Sequence, residues 1–204
     1  MAQRPGKAGK KLVVGISGAS GVAYGIRLLE ALRELGIESH LVVSKPGQMT
    51  IGYETALSPK AVAAKADCSY AIDDIAAPIA SGSFRTAGMI VAPCSVRSWS
   101  EIASGVTTNL LTRAADVTLK EKRPLVLLVR ESPLHLGHLR ALAQLAEMGA
   151  TILPPMPAFY AEPRSIADIV DQQVGRVLDL FGCDWPDTKR WGEDLAKGRR
   201  KGRT

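Results

Sequence analysis

Three groups of residues have types and spacings that could do chemistry. Gly15-Ile16-Ser17-Gly18-Ala19-Ser20-Gly21 joins a short apolar run to a stretch with helical spacing. Glycines let the backbone turn tightly and present N–H groups to an anion at the next helix N-terminus, and Ser17 and Ser20 add hydroxyl donors. The spacing is G-x-x-G-x-x-G, not the G-x-G-x-x-G of dinucleotide folds. A dinucleotide site also needs an acid after the second strand to hold a ribose, and Ser44-Lys45 stands there instead. That disfavours NAD, leaves NADP open and suits a mononucleotide.

The second group, Pro93-Cys94-Ser95-Val96-Arg97-Ser98, follows another apolar run and opens another helix, which again favours an anion. Cys94 reads as a packing thiol, because no base is identifiable beside it and buried thiols are inert. The third group is dispersed: Arg113, Lys120, Arg130, Glu131, Tyr160 and Arg176. Lys and Arg that converge would bind a phosphate ester. Arg113 and Lys120 lie seven apart and share one helix face. Arg130-Glu131 ends a strand, and Tyr160 sits in a proline-rich loop. His135-x-x-His138 has no Cys or carboxylate at a diagnostic offset, and Cys68, Cys94 and Cys183 are widely spaced. No metal and no disulfide framework are expected.

The elements that must position these residues follow from periodicity. Strands are expected over 11–16, 39–43, 88–92, 125–129 and 150–153, and helices over 22–35, 48–56, 95–104, 109–120, 136–148 and 165–181. The stretch between the second helix and 88 shows no regular pattern. Alternation of strand and helix predicts an α/β fold: a Rossmann-like three-layer sandwich with a mainly parallel sheet, which binds ligands at the strands' carboxyl ends.

The chain of 204 residues suits a single domain over 11–192, without internal repeats. Its net charge of +6 suggests nucleic acid until the charge is located. Residues 1–11 and 196–204 hold nine basic residues and no acid; taking these from the 26 leaves 17 basic against 20 acidic, a net of −3. The basic ends, 1–10 and 193–204, are expected to be solvated, mobile tails, so neither a nucleic-acid nor a membrane partner is expected. No apolar run is long enough for a signal peptide or a bilayer span, which predicts a cytoplasmic protein.

The ordered set Gly15-Ile-Ser-Gly-Ala-Ser-Gly-Val-Ala-Tyr-Gly, Val43-Ser-Lys, Ala92-Pro-Cys-Ser, Asn109-Leu-Leu-Thr-Arg-Ala-Ala-Asp-Val, Leu119-Lys-Glu-Lys-Arg-Pro-Leu, Arg130-Glu-Ser-Pro-Leu, Pro157-Ala-Phe-Tyr and Arg190-Trp-Gly resembles the UbiX-like flavin prenyltransferases. These were long described as aromatic-acid decarboxylases. The resemblance implies transfer of the dimethylallyl group of dimethylallyl phosphate to N5 and C6 of reduced FMN, without a metal. It implies that Gly18, Ala19, Ser20, Ser44, Ser95, Val96, Arg97, Ser98 and Arg130 meet FMN. Arg113, Lys120, Tyr160, Arg176 and Trp191 would hold the prenyl phosphate, while Ser20, Glu54, Lys120 and Glu131 would act in catalysis. It further implies a homo-oligomer, a dodecamer with sites at subunit interfaces, whose prenylated FMN goes to a UbiD-type decarboxylase. Ser98-Trp-Ser-Glu and Thr107-Thr108 depart from the family's usual forms. Rival readings are an FMN-dependent decarboxylase of the phosphopantothenoylcysteine type, an NADP-dependent reductase and a non-catalytic FMN-binding subunit.

Overall fold

Continuous apolar runs, rather than alternating ones, build the sheet. The computed structural model describes residues 9–186 and 188–192; of the expected tails over 1–10 and 193–204, all but residues 9 and 10 lie outside these. In β1 (Lys11–Ile16) and β2 (Glu38–Val43) every residue after the first is buried, and β4 (Met89–Cys94) and β5 (Leu125–Val129) are buried throughout. Burial on both faces is what a parallel sheet between helices requires. With the short strands β3 (Cys68–Tyr70) and β6 (Ala150–Ile152), the sheet has six parallel strands in the order β3-β2-β1-β4-β5-β6. The order reverses between β1 and β4, the switch point where such sheets open a ligand crevice.

The helices are α1 (Val22–Glu34), α2 (Lys45–Glu54), α3 (Pro59–Ala63), α4 (Val96–Ser104), α5 (Leu110–Lys120), α6 (Leu136–Glu147) and α7 (Ile166–Asp179). Two expectations change. α2 begins three residues earlier than its apolar spacing suggests, because Ser44 caps it: its hydroxyl accepts from the Gly47 N–H at 3.0 Å, and Pro46 is compatible with a first turn. β4 continues through Pro93, with a cis Ala92–Pro93 bond and a register shift before Cys94. β3 escapes the sequence reading because three partly exposed residues carry no apolar run.

One core cluster joins the sheet to α4 and α5, with Trp99, Leu110 and Leu111 essentially inaccessible. Cys94 belongs to it, and burial pushes its thiol pKa far up, so it is packing rather than nucleophile. The chain divides into two compact units between Pro155 and Met156, inside the proline-rich loop. The second unit contains α7, which Ser165 and Asp168 start with a reciprocal capping box.

Candidate active site

Four strand ends of the first unit deliver the residues singled out above. The loop after β1 brings Gly18, Ala19 and Ser20; Ser44 follows β2, Ser95 follows β4, and Arg130-Glu131 follows β5. Gly18 is glycine because a Cβ there would stand 2.3 Å from Pro46 Cβ, which locks this loop against the start of α2. Gly21 turns the chain into α1 at φ 102°, a left-handed conformation that suits glycine.

Ser17 departs from its expected role as a ligand donor. It is wholly buried, its hydroxyl donates to the Pro93 carbonyl at 2.8 Å, and it accepts from the Ser95 N–H at 2.7 Å. Those two bonds tie the β1 loop to the β4 loop across the switch point. The α1 N-terminus is likewise already engaged. Glu54 Oε2 accepts from the Gly21 and Val22 N–H groups at 2.9 and 3.1 Å, so a carboxylate at the end of α2 supplies the cap that Gly21 cannot. Burial raises the Glu54 pKa, but the bonds from Ser20, Gly21 and Val22 and the charge of Arg130 outweigh it and hold the carboxyl below its ordinary value of 4.5.

Three further helix N-termini, those of α2, α4 and α5, border one cleft of about 540 Å³. Gly18, Ser44, Ser95, Arg97 and Ser98 line it. Ser95 caps α4, accepting from the Ser98 N–H at 3.4 Å, and its hydroxyl lies 3.1 Å from that of Ser98. A neighbouring cleft of about 440 Å³ is lined by Ala19, Ser20, Val96, Arg130 and Glu131, and shares Gly18, Ser95 and Arg97 with the first. Tyr24 lies near Arg130; burial raises its phenol pKa and Arg130 partly offsets this.

Sequence reasoning passed over Glu101, which lines the larger cleft. Its carboxylate accepts from Arg97 Nε and from the Thr108 hydroxyl, both at 2.7 Å. Burial raises its pKa, and the bonds from Arg97 and Thr108 more than reverse that, so the group is anionic at neutral pH. The i, i+4 spacing of Arg97 and Glu101 could have signalled the pair, and Glu101 and Thr108 fall in the two segments that depart from the family's forms.

Arg113 and Lys120 border neither cleft. Arg113 Nε donates to the carbonyl of Ala80 at 3.2 Å, at the end of the 3-10 turn Pro78–Ala80, and Lys120 Nζ pairs with Glu121 beside Gly82, just after that turn. In the second unit, the Tyr160 and Trp191 rings meet edge to face at 5.5 Å, with Trp191 69% exposed. Arg176, on α7, pairs with Asp179 at 2.9 Å.

A crevice at the switch point of a parallel sheet, bordered by two serine-capped helix ends and one arginine, is built to take an anionic mononucleotide. The family model described as Flavoprotein matches residues 2–178. The chain is 53% identical over 193 residues to the flavin prenyltransferase UbiX of Thauera aromatica, covering 93% of this chain and all of that one. To the flavin prenyltransferase UbiX of Escherichia coli K12 it is 55% identical over 185 residues, 89% of this chain and 98% of that one. Among solved structures, AnUbiX (PadA1) in complex with FMN and dimethylallyl pyrophosphate superposes with a TM-score of 0.88 at 50% identity, covering 89% of this chain and 97% of that one. A dodecameric FMN-dependent UbiX-like decarboxylase from Escherichia coli O157:H7 gives 0.87 at 51% identity, covering 89% and 98%. The chain belongs to the flavoprotein family and, within it, to the UbiX flavin prenyltransferases. A PPC decarboxylase mutant, at 21% identity and a TM-score of 0.60, shares the fold alone.

Proposed function

We propose that this chain transfers the dimethylallyl group of dimethylallyl phosphate to reduced FMN in the paired clefts at the β1/β4 switch point. The observation that carries the reading is the convergence of Gly18, Ser44, Ser95 and Ser98 on one cleft while Ala19, Ser20, Arg130 and Glu131 line the next. The arrangement fits a flavin mononucleotide. Serine hydroxyls and the positive N-terminal ends of α2 and α4 suit its phosphate, and the glycine loop leaves room for close approach. The α1 end does not serve the phosphate, because Glu54 already holds it.

Reduced FMN supplies the nucleophilic N5 and C6 positions that accept the five-carbon group. The protein must stabilise the departing phosphate and keep water from the allylic cation. Lys120, Arg113 and Arg176 neutralise the phosphate charge as the C–O bond breaks, and Ser20 and Glu131 relay a proton to it. The faces of Tyr160 and Trp191 offer electron density to the cation. The scheme calls for no metal. Because Arg113 and Lys120 line neither cleft of their own chain, they are assigned to the site of a neighbouring subunit. A homo-oligomer, a dodecamer, follows as part of the proposal. Its product goes to a UbiD-type decarboxylase in the cytoplasm, with no nucleic-acid partner. Among the described residues, no helix is long and apolar enough to cross a membrane.

Lys120→Ala tests the division of labour. The variant is expected to keep its flavin while prenyl transfer falls at least a thousandfold, roughly the loss of one buried transition-state charge partner. Loss of bound flavin would contradict the assignment.

A further inference from the structure

The flavin clefts use the carboxyl ends of the strands; a second cluster of chemically capable side chains lies toward the amino ends. Residues two apart on a strand share a face. Glu38 and His40 are so placed on β2, and Cys68 and Tyr70 on β3. The parallel register sets His40 directly beside Cys68. The donor atoms of Glu38, His40 and Cys68 all lie within 4.8 Å of one another.

We propose that Glu38, His40 and Cys68 form a binding site for a divalent cation of the zinc class, which ties the edge strand β3 to β2. His40 is 2% exposed, and its ring is held at both nitrogens: Nδ1 lies 2.8 Å from the Tyr70 hydroxyl and Nε2 lies 3.0 Å from Glu38 Oε1. A metal-binding histidine is oriented in this way, one nitrogen on an outer hydrogen-bond partner and the other toward the ion. The stack on Tyr70, with rings 5.9 Å apart, and the edge contact to Phe84 at 5.0 Å fix the imidazole further.

One nitrogen, one oxygen and one sulfur donor select for zinc and its neighbours over magnesium and calcium, which take oxygen. Three protein ligands leave the fourth tetrahedral position to water. The cation would enter where Lys11 Nζ now neutralises Glu38 Oε1 at 2.9 Å. The Lys11 side chain is 32% exposed, so its ammonium can move to solvent on exchange. Binding forms bonds from the metal to sulfur, nitrogen and oxygen and releases the Cys68 thiol proton, with no change of oxidation state. Sequence spacing hides the set, since His40 and Cys68 stand 28 positions apart. The role is structural and leaves the prenyl transfer scheme unchanged.

The test is an anaerobic titration of the full-length, chelator-treated protein with Co²⁺, followed by displacement with Zn²⁺. One equivalent of Co²⁺ is expected to give a thiolate-to-metal charge-transfer band that Zn²⁺ removes. Cys68→Ser should abolish the band and weaken Zn²⁺ binding tenfold or more, and Tyr70→Phe, which removes only the outer partner, should weaken it about tenfold. Both positions are partly exposed, so the folded state of each variant is verifiable by its melting curve. A wild type without the band would overturn the proposal. So would Zn²⁺ affinity that is unchanged in Cys68→Ser, or that instead follows His135→Ala and His138→Ala.

Discussion

Glu54 closes α1 with a carboxylate contributed from the end of another helix, and its depressed pKa makes the contribution pH-dependent. A carboxyl whose folded pKa lies below its unfolded value stabilises the protein above the unfolded pKa, and that contribution fades as pH falls through the folded one. Glu54→Gln should therefore cost about 0.3–1 kcal/mol at pH 7, the worth of an exposed charge at a helix end. The difference should vanish as pH drops well below 4.5. Urea unfolding of both proteins at the two pH values measures this, and an equal difference at both would contradict it. At this scale the sequence is half legible. Ser95 stands between an apolar run and a helix, the pattern of an N-cap, whereas Ser44 is four residues short of the helix expected from 48 and its capping role does not show. Ser17 has the same type and a similar place, yet it bonds to a carbonyl 76 residues away. No local pattern encodes such a contact. Glu101 escapes for the same reason, since its function as a clamp on Arg97 and Thr108 depends on a helix and a loop meeting.

Helices and buried strands were legible because each repeats its signal several times. α5 and α7 carry long apolar faces, and β1 and β5 have the bounds that their apolar runs define. Short elements repeat nothing: β3 has three residues, and its place at the sheet edge comes from pairing with β2. The start of α2 is set by a cap rather than a periodic face. α4 shows what such an element does for the site. It holds Ser95 and Ser98 at its cleft-lining end, and Trp99 anchors it in the core at 0% exposure. Trp99→Ala should destabilise the protein by about 3–5 kcal/mol through lost burial and a residual cavity. Denaturant unfolding would read it, and a cost below about 1 kcal/mol would mean that α4 is not held by this side chain.

At the scale of the whole molecule, composition assigns the net positive charge to the two ends of the sequence, whereas the boundary at Pro155 leaves no trace beyond its prolines. How sites are shared among chains is the part least accessible to sequence, because a surface residue looks alike whether it meets solvent or a second copy. The proposed sharing makes a specific claim. Lys120→Ala and Arg130→Ala proteins should each be inactive alone, while mixed oligomers should recover roughly a quarter of wild-type activity, since random assembly pairs intact residues from different chains. Activity that stays absent after verified mixing would place both residues in the same subunit's site.

Prenyl transfer changes the mass of the flavin, and that mass is what to measure first. Purified protein is incubated anaerobically with reduced FMN and dimethylallyl phosphate, and the released flavin is analysed by mass spectrometry. A flavin heavier by one five-carbon unit is expected, formed only when both reactants and the protein are present. FMN that returns unmodified from a protein that binds it tightly would contradict the account, leaving the flavin site intact but the prenyl chemistry disproved.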